Sequence, residues 1–255
     1  MKGPNQNKGG GAPDGGWQLW AQNPLPVRRY VFIVTYGRSG STLLQNLLNA
    51  IPGFEIRGEN NNALLHIARA WEALDSSQTL ARLREAGEPT DQTHPWFGGE
   101  LIHPPHVARA MVRGFVNTVL KPSDDTRVSG FKEIRFHAAG EEFEMYLDFI
   151  YRFFPNVKFI FNTRDKDAVA QSGWWKGYAP ETVHRILGEA EGLYHAYMEK
   201  NPERGFHLHY DDYVGRPAKL RPLFEFLGEP FDRDMVEQVL GTKLDHLKKR
   251  SKSSN

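Results

Sequence analysis

The chain has 255 residues, 40% of them hydrophobic and 25% charged, with a formal net charge of +1. That length is ample for one large domain with its own core, and so small a net charge gives no whole-chain attraction to nucleic acid or a membrane surface. The absence of cysteine excludes disulfides, thiolate metal sites and a thiol nucleophile.

Residues 1–16 are mostly Gly, Asn, Lys and Pro with almost nothing to bury, and are expected to form a disordered tail. Residues 17–255 are expected to form a single domain. No run approaches the roughly 18 apolar residues of a membrane-spanning helix. The N-terminus has no apolar stretch of the secretory kind, so a cytoplasmic location is expected.

Val27–Val34 reads as a buried strand and Thr42–Ala50 as the helix after it, stopped by Pro52-Gly53. Phe54–Glu59 contains a second short strand or strand-like turn, and Asn62–Leu74 is helical with Leu64, Leu65, Ala68 and Trp71 on one side. Residues 87–106, rich in Pro, Gly, His and Trp, have no steady period and read as loop, a candidate wall for a second substrate. Helix is expected over Val107–Leu120, strand over Val128–Ile134, helix over 140–153 and a buried strand over Val157–Asn162. A helix begins at Asp167–Gly173, a Trp-rich loop follows, and 181–199 is a long helix. Phe206–Tyr210 is a short strand, Pro217–Leu227 and Asp232–Leu240 are helical, and Lys243–Lys252 is strongly basic. Strands separated by helices indicate a three-layer α/β sandwich with a mostly parallel central sheet.

In such a fold ligands bind at the carboxyl ends of the strands. The segment Thr35-Tyr36-Gly37-Arg38-Ser39-Gly40-Ser41-Thr42 lies there, between the first strand and its helix. Gly37 and Gly40 permit tight turning and close approach, and the N–H groups of 38–42 with the hydroxyls of Ser39, Ser41 and Thr42 suit an anion. Arg38 adds a fixed charge with several donors. A Walker A loop would place a lysine after its second glycine; here that lysine is missing. A second basic residue, Arg164, emerges at the end of the strand 157–162, with Ser172 on the helical segment beyond it.

The stretch Tyr36–Leu44 resembles the 5′-phosphosulfate loop of the sulfotransferases that use 3′-phosphoadenosine-5′-phosphosulfate (PAPS). Its Arg-Ser-Gly-Ser-Thr core is most like their carbohydrate, tyrosylprotein and related bacterial branches. Val157–Ser172 resembles their 3′-phosphate segment: a buried strand, Arg164-Asp165, and a Ser eight residues after the Arg. A third likeness runs from Leu208-His209-Tyr210-Asp211-Asp212-Tyr213 through Pro217 to Leu223-Phe224-Glu225-Phe226-Leu227-Gly228. The three motifs stand in family order. The resemblance implies a P-loop sulfotransferase-like fold and transfer of a sulfuryl group from PAPS to an acceptor hydroxyl, with PAP as product and no metal. It also implies that Tyr36, Gly37, Arg38, Ser39, Gly40, Ser41, Thr42, Arg164 and Ser172 hold the nucleotide. Two separate phosphate grips suit a nucleotide phosphorylated on both 5′ and 3′ sides.

A general base must take the acceptor's proton. Glu59, shortly after the first helix, is favoured, and the resemblance agrees with a catalytic Glu in that region. Its rival lies in Lys132-Glu133-Ile134-Arg135-Phe136-His137. Cytosolic-type members carry Lys-x-His after the corresponding strand, but residue 134 is Ile, which leaves Glu133 or His137 as substitutes. Lys132 would stabilise the leaving oxygen or hold the acceptor, a role Arg38 would share. The tail with Lys248 and Arg250 would close over the 3′-phosphate, as basic tails do in relatives, or stay solvated. The expected acceptor is a small molecule or oligosaccharide, first a carbohydrate; the alternatives are a small-molecule kinase and a non-catalytic nucleotide-binding module.

Overall fold

The structure, a computed structural model, describes residues 25–241. The strands are β1 Tyr30–Thr35, β2 Phe54–Arg57, β3 Val128–Glu133, β4 Val157–Thr163 and β5 Gly205–His209. The helices are α1 Ser41–Asn49, α2 Ala63–Asp75, α3 Gln78–Ala86, α4 Pro104–Phe115, α5 Phe143–Phe153, α6 Lys166–Ala170, α7 Pro180–Lys200, α8 Tyr210–Tyr213, α9 Arg221–Leu227 and α10 Arg233–Gly241. Short 3-10 turns cover Gly99–Leu101, Phe136–Glu142, Gly173–Gly177 and Pro217–Leu220.

The five strands lie in the order β2-β3-β1-β4-β5, and every pairing between them is parallel. β1 explains why the sheet sits in the middle. Its six residues are all buried, which a strand covered on both faces requires. Tyr30, Phe32 and Val34 enter one core with residues of α2, α4, α5 and α7; Val31 and Ile33 enter a second with α1, α9 and α10. That is the expected three-layer α/β sandwich.

The element boundaries depart from the expectations where short polar signals decide. α3 was not anticipated: only Leu80 of its nine residues is buried, and Ser77 caps its start by accepting from the Leu80 N–H, with Gly87 in the left-handed region at its end. α4 begins three residues early because Pro104 and Pro105 occupy its first turn, where a missing N–H costs nothing. The helix expected over 140–153 is broken at Gly140 (φ 56°, ψ −124°), which leaves a 3-10 turn before α5.

Topology fixes where a ligand can sit. The connection after β1 runs to β2 on one side of the sheet, and that after β4 runs to β5 on the other. The carboxyl ends of β1 and β4 therefore flank the crevice that forms where chain direction diverges. Register brings Thr35 level with Asn162, and Val34 level with Glu133.

Candidate functional site

The loop leaving β1 is built from the inside. The Thr35 hydroxyl donates to the Asn162 carbonyl (2.7 Å), so the Ser39 hydroxyl, 2.7 Å away, must donate to Thr35 Oγ1. Asn162 Nδ2 donates to the Ser39 carbonyl (3.1 Å). Thr35, Ser39 and Asn162 are all fully buried. Ser39, expected to offer its hydroxyl to a ligand, braces the loop instead. Tyr36 does likewise. Its ring is fully buried, its hydroxyl donates to Glu191 (2.8 Å) and accepts from the Arg164 N–H (2.9 Å), and burial raises its pKa far above the usual tyrosine value.

The outer side of the loop faces the crevice. Arg38 (φ 70°) and Gly40 (φ 82°) are left-handed, a backbone alternation that turns successive N–H groups toward one point. α1 starts at Gly40 with no capping side chain and no acidic residue in its first turn, so its N-terminal dipole end is left for an outside anion. Ser41 and Thr42 occupy that turn. Two aromatic rings press on the glycines: a Cβ on Gly37 would lie 2.2 Å from the Trp174 ring, and one on Gly40 2.0 Å from the Tyr210 ring. Neighbouring Trp175 donates its indole N–H to the Gly37 carbonyl (3.0 Å).

The segment after β4 meets this loop. Arg38 Nε donates to Ser172 Oγ (2.9 Å), and the Arg164 guanidinium donates to the Arg38 carbonyl (3.1 Å) while lying 4.6 Å from the Tyr210 ring centroid. Arg164 Nε is buried with no partner among the described residues, a cost that a bound anion would remove. The two motifs, 126 residues apart between Arg38 and Arg164, thus form one bipartite cationic site.

At the end of β3, on the other side of β1, Lys132 is buried and its ammonium lies 2.5 Å from Glu59 Oε1. The Glu59 side chain is 35% exposed, with Arg135 at 3.7 Å. Glu133 is different. It is fully buried; its Oε2 accepts the N–H groups of Asn60 (3.1 Å) and Asn62 (3.0 Å), and its Oε1 accepts that of Ile134 (2.9 Å). Both oxygens of Glu133 are thus engaged by backbone N–H groups, whereas the Glu59 side chain is part-exposed. His137 is half-buried; burial pushes its pKa down against the pull of Glu133, and its Nδ1 has no described partner.

A family model described as Sulfotransferase family matches residues 30–233, a span that contains every element of this site. The chain belongs to the sulfotransferase family. Among solved structures, the sulfotransferase domain of the Synechococcus PCC 7002 olefin synthase is similar over 84% of this chain and 78% of its own, with 20% identity and a TM-score of 0.51. The sulfotransferase STF9 of Mycobacterium avium aligns over 94% and 73% respectively, at 12% identity and a TM-score of 0.45. No curated protein sequence gave a significant match.

This sulfotransferase-family chain also has a feature that its sequence does not advertise. A cleft of about 290 Å³ beside Arg164 is lined by Thr163, Lys166, Glu191 and three histidines, His195, His207 and His209. The Thr163 hydroxyl lies 2.9 Å from both His207 Nε2 and His209 Nδ1. The i, i+2 spacing of the two β5 histidines places them on one face, but His195 comes from α7, and nothing in the sequence pairs it with them. Lys248 and Arg250 lie outside the described residues. Among the described residues no group of acidic or histidine side chains could hold a metal, and no helix is long and apolar enough to cross a membrane.

Proposed function

We propose that this protein transfers a sulfuryl group from PAPS to the hydroxyl of a carbohydrate or other small molecule. The observation that carries the reading is the junction of the two cationic arms, Arg38 on Ser172 and Arg164 on the Arg38 carbonyl. One arm suits a 5′-phosphosulfate seated on the α1 N-terminus, and the other a 3′-phosphate seated on Arg164. The glycine cradle and the unpartnered Arg164 Nε fit such a nucleotide.

When bound, PAPS supplies an activated sulfur whose bond to the 5′-phosphate oxygen breaks as a bond to the acceptor oxygen forms. The chain's work is positioning and charge stabilisation. Arg38 and the 38–42 N–H groups neutralise charge left on the phosphate oxygen. Glu59 is the exposed carboxylate near that edge, and it takes the acceptor's proton. Lys132 holds Glu59 in place and adds positive charge beside the reacting atoms.

The test combines binding and turnover. PAP should bind far more tightly than ADP, and labelled sulfate should pass from PAPS to members of a carbohydrate, phenol and lipid-alcohol panel. Arg164→Ala should weaken PAP by roughly 2–3 kcal/mol, or about 30- to 140-fold, the worth of a charged hydrogen-bonding grip. Glu59→Gln should lower kcat by about 10²- to 10⁴-fold. Equal affinity for ADP and PAP would sink the donor assignment; phosphate transfer from ATP would make the protein a kinase, and PAP binding without sulfate transfer a binding module.

A further inference from the structure

We infer that Glu133 is the positioning residue for the Glu59 carboxylate, a role that rests on the reading of Glu59 as base. The turn between β2 and α2 carries Glu59 and has no regular structure of its own. Two consecutive residues in it, Asn61 (φ 58°) and Asn62 (φ 59°), are left-handed. Asparagine tolerates that region better than other side chains with a Cβ, but two in succession persist only where surrounding contacts hold them.

Glu133 supplies the contacts. Its Oε2 receives the N–H of Asn60, the residue directly after Glu59, together with that of Asn62; its Oε1 receives its neighbour Ile134. The peptide that begins at Glu59 is thereby bolted to the end of β3. The Asn62 side chain makes a second tie, donating to the Arg135 carbonyl (2.8 Å). Adjacent residues of a strand point to opposite faces, so Lys132 engages the Glu59 carboxylate while Glu133 grips the backbone behind it. The pair forms a two-sided clamp, one side on the side chain and one on the main chain.

Only a carboxylate suits the inner side. Three N–H donors converge on two oxygens, with the Arg135 guanidinium also 3.6 Å from Oε1, so an amide would turn its own NH₂ either on the Asn60 and Asn62 N–H groups or on Ile134 and that cation. Glu133→Gln is therefore expected to loosen the 59–62 turn without touching the nucleotide arms. Because loss of about 1 Å in placement can cost about 100-fold, kcat should fall by about 10- to 100-fold. PAP affinity should stay within about twofold. Glu133→Asp, which keeps both oxygens on a shorter stem, should recover part of the loss.

The deciding experiment is a cycle with Glu59→Gln, with amide hydrogen exchange measured alongside. If Glu133 acts through Glu59, Glu133→Gln should cost kcat less than about threefold when Glu59 is already Gln, because coupled residues are not additive. Exchange at Asn60 and Asn62 should quicken in Glu133→Gln, a readout that needs no substrate. An equal fold loss in both backgrounds, a parallel fall in PAP affinity, or unchanged exchange at those two amides would overturn the inference. Failure of wild-type protein to bind PAP would instead count against the donor assignment, with the exchange result still judging the tether.

Discussion

Gly40 occupies a left-handed conformation and also lies under the Tyr210 ring, which leaves no room for a Cβ. Left-handed backbone costs a residue with a Cβ roughly 1–2 kcal/mol, and moving the ring adds to it. Gly40→Ala should therefore lower unfolding stability by at least that amount and weaken PAP binding, read from urea denaturation and a PAP titration. Adding Tyr210→Ala should relieve the ring contact but not the backbone strain, so stability should return in part. No change in either measurement for Gly40→Ala would show that the loop does not need this glycine. The glycine's role was legible in the sequence, because a glycine between strand and helix has few other uses. Arg38 was legible as a charge, but its own left-handed backbone was not, since such strain is set by what surrounds the loop. The direction of the loop's hydroxyls was not legible for the same reason: Ser39 turns inward because buried Thr35 and Asn162 meet it, and Tyr36 because Glu191 and the Arg164 N–H do.

The Gly173–Gly177 turn shows the same limit in a whole element. Composition marked it only as Trp-rich. The structure divides the labour: Trp175 is 8% exposed and holds the Gly37 carbonyl, whereas Trp174 is 53% exposed with its ring laid on Gly37. Period could not separate two adjacent tryptophans, because a 3-10 turn has no long stripe to count. Trp175→Phe keeps most of the ring and removes the donor, so it should cost about 0.5–1.5 kcal/mol and weaken PAP binding a few-fold, with kcat for bound substrate little altered. A variant with wild-type PAP affinity would show that the loop is held without this bond. Elements with a strong period were legible, β1, β4 and α7 above all. α3 was not, since a helix with one buried residue leaves almost no apolar pattern.

Across the molecule, charged groups are arranged by strand end. The amino ends of β1 and β3 are joined by Arg29 and Arg127, which both grip Glu229 after α9 (2.9 and 3.0 Å); the carboxyl ends carry Arg38, Lys132 and Arg164. The layered class followed from alternating strands and helices, but the strand order that puts Arg38 beside Arg164 depends on long-range pairing with no local signature. The same global packing sets how stability responds to pH. Burial holds His137 and His207 below the usual histidine value, His207 further so because His195 and His209 face it, against the opposing pull of Glu191 and Asp212. Both are favoured neutral in the folded state. Their contribution is complete above the unfolded value of about 6.5 and is lost as pH falls from there through the lowered folded values, since the unfolded chain then binds more protons. Burial opposes ionisation of Glu229, but hydrogen bonds from Arg127 and Arg29 outweigh it and lower its pKa, so its contribution fades further into acid. At the other end, buried Tyr30, Tyr36, Tyr146 and Tyr194 are raised above the usual tyrosine value. They stabilise fully below about pH 10 and less as pH climbs beyond it. Urea midpoints should thus form a plateau between about pH 6.5 and 10, falling on both sides. His207→Gln, which cannot be protonated, should flatten the first part of the acid limb. A midpoint that rose from pH 7 to pH 5, or an acid limb unaltered by the substitution, would contradict the assignment of that limb to these partly desolvated imidazoles.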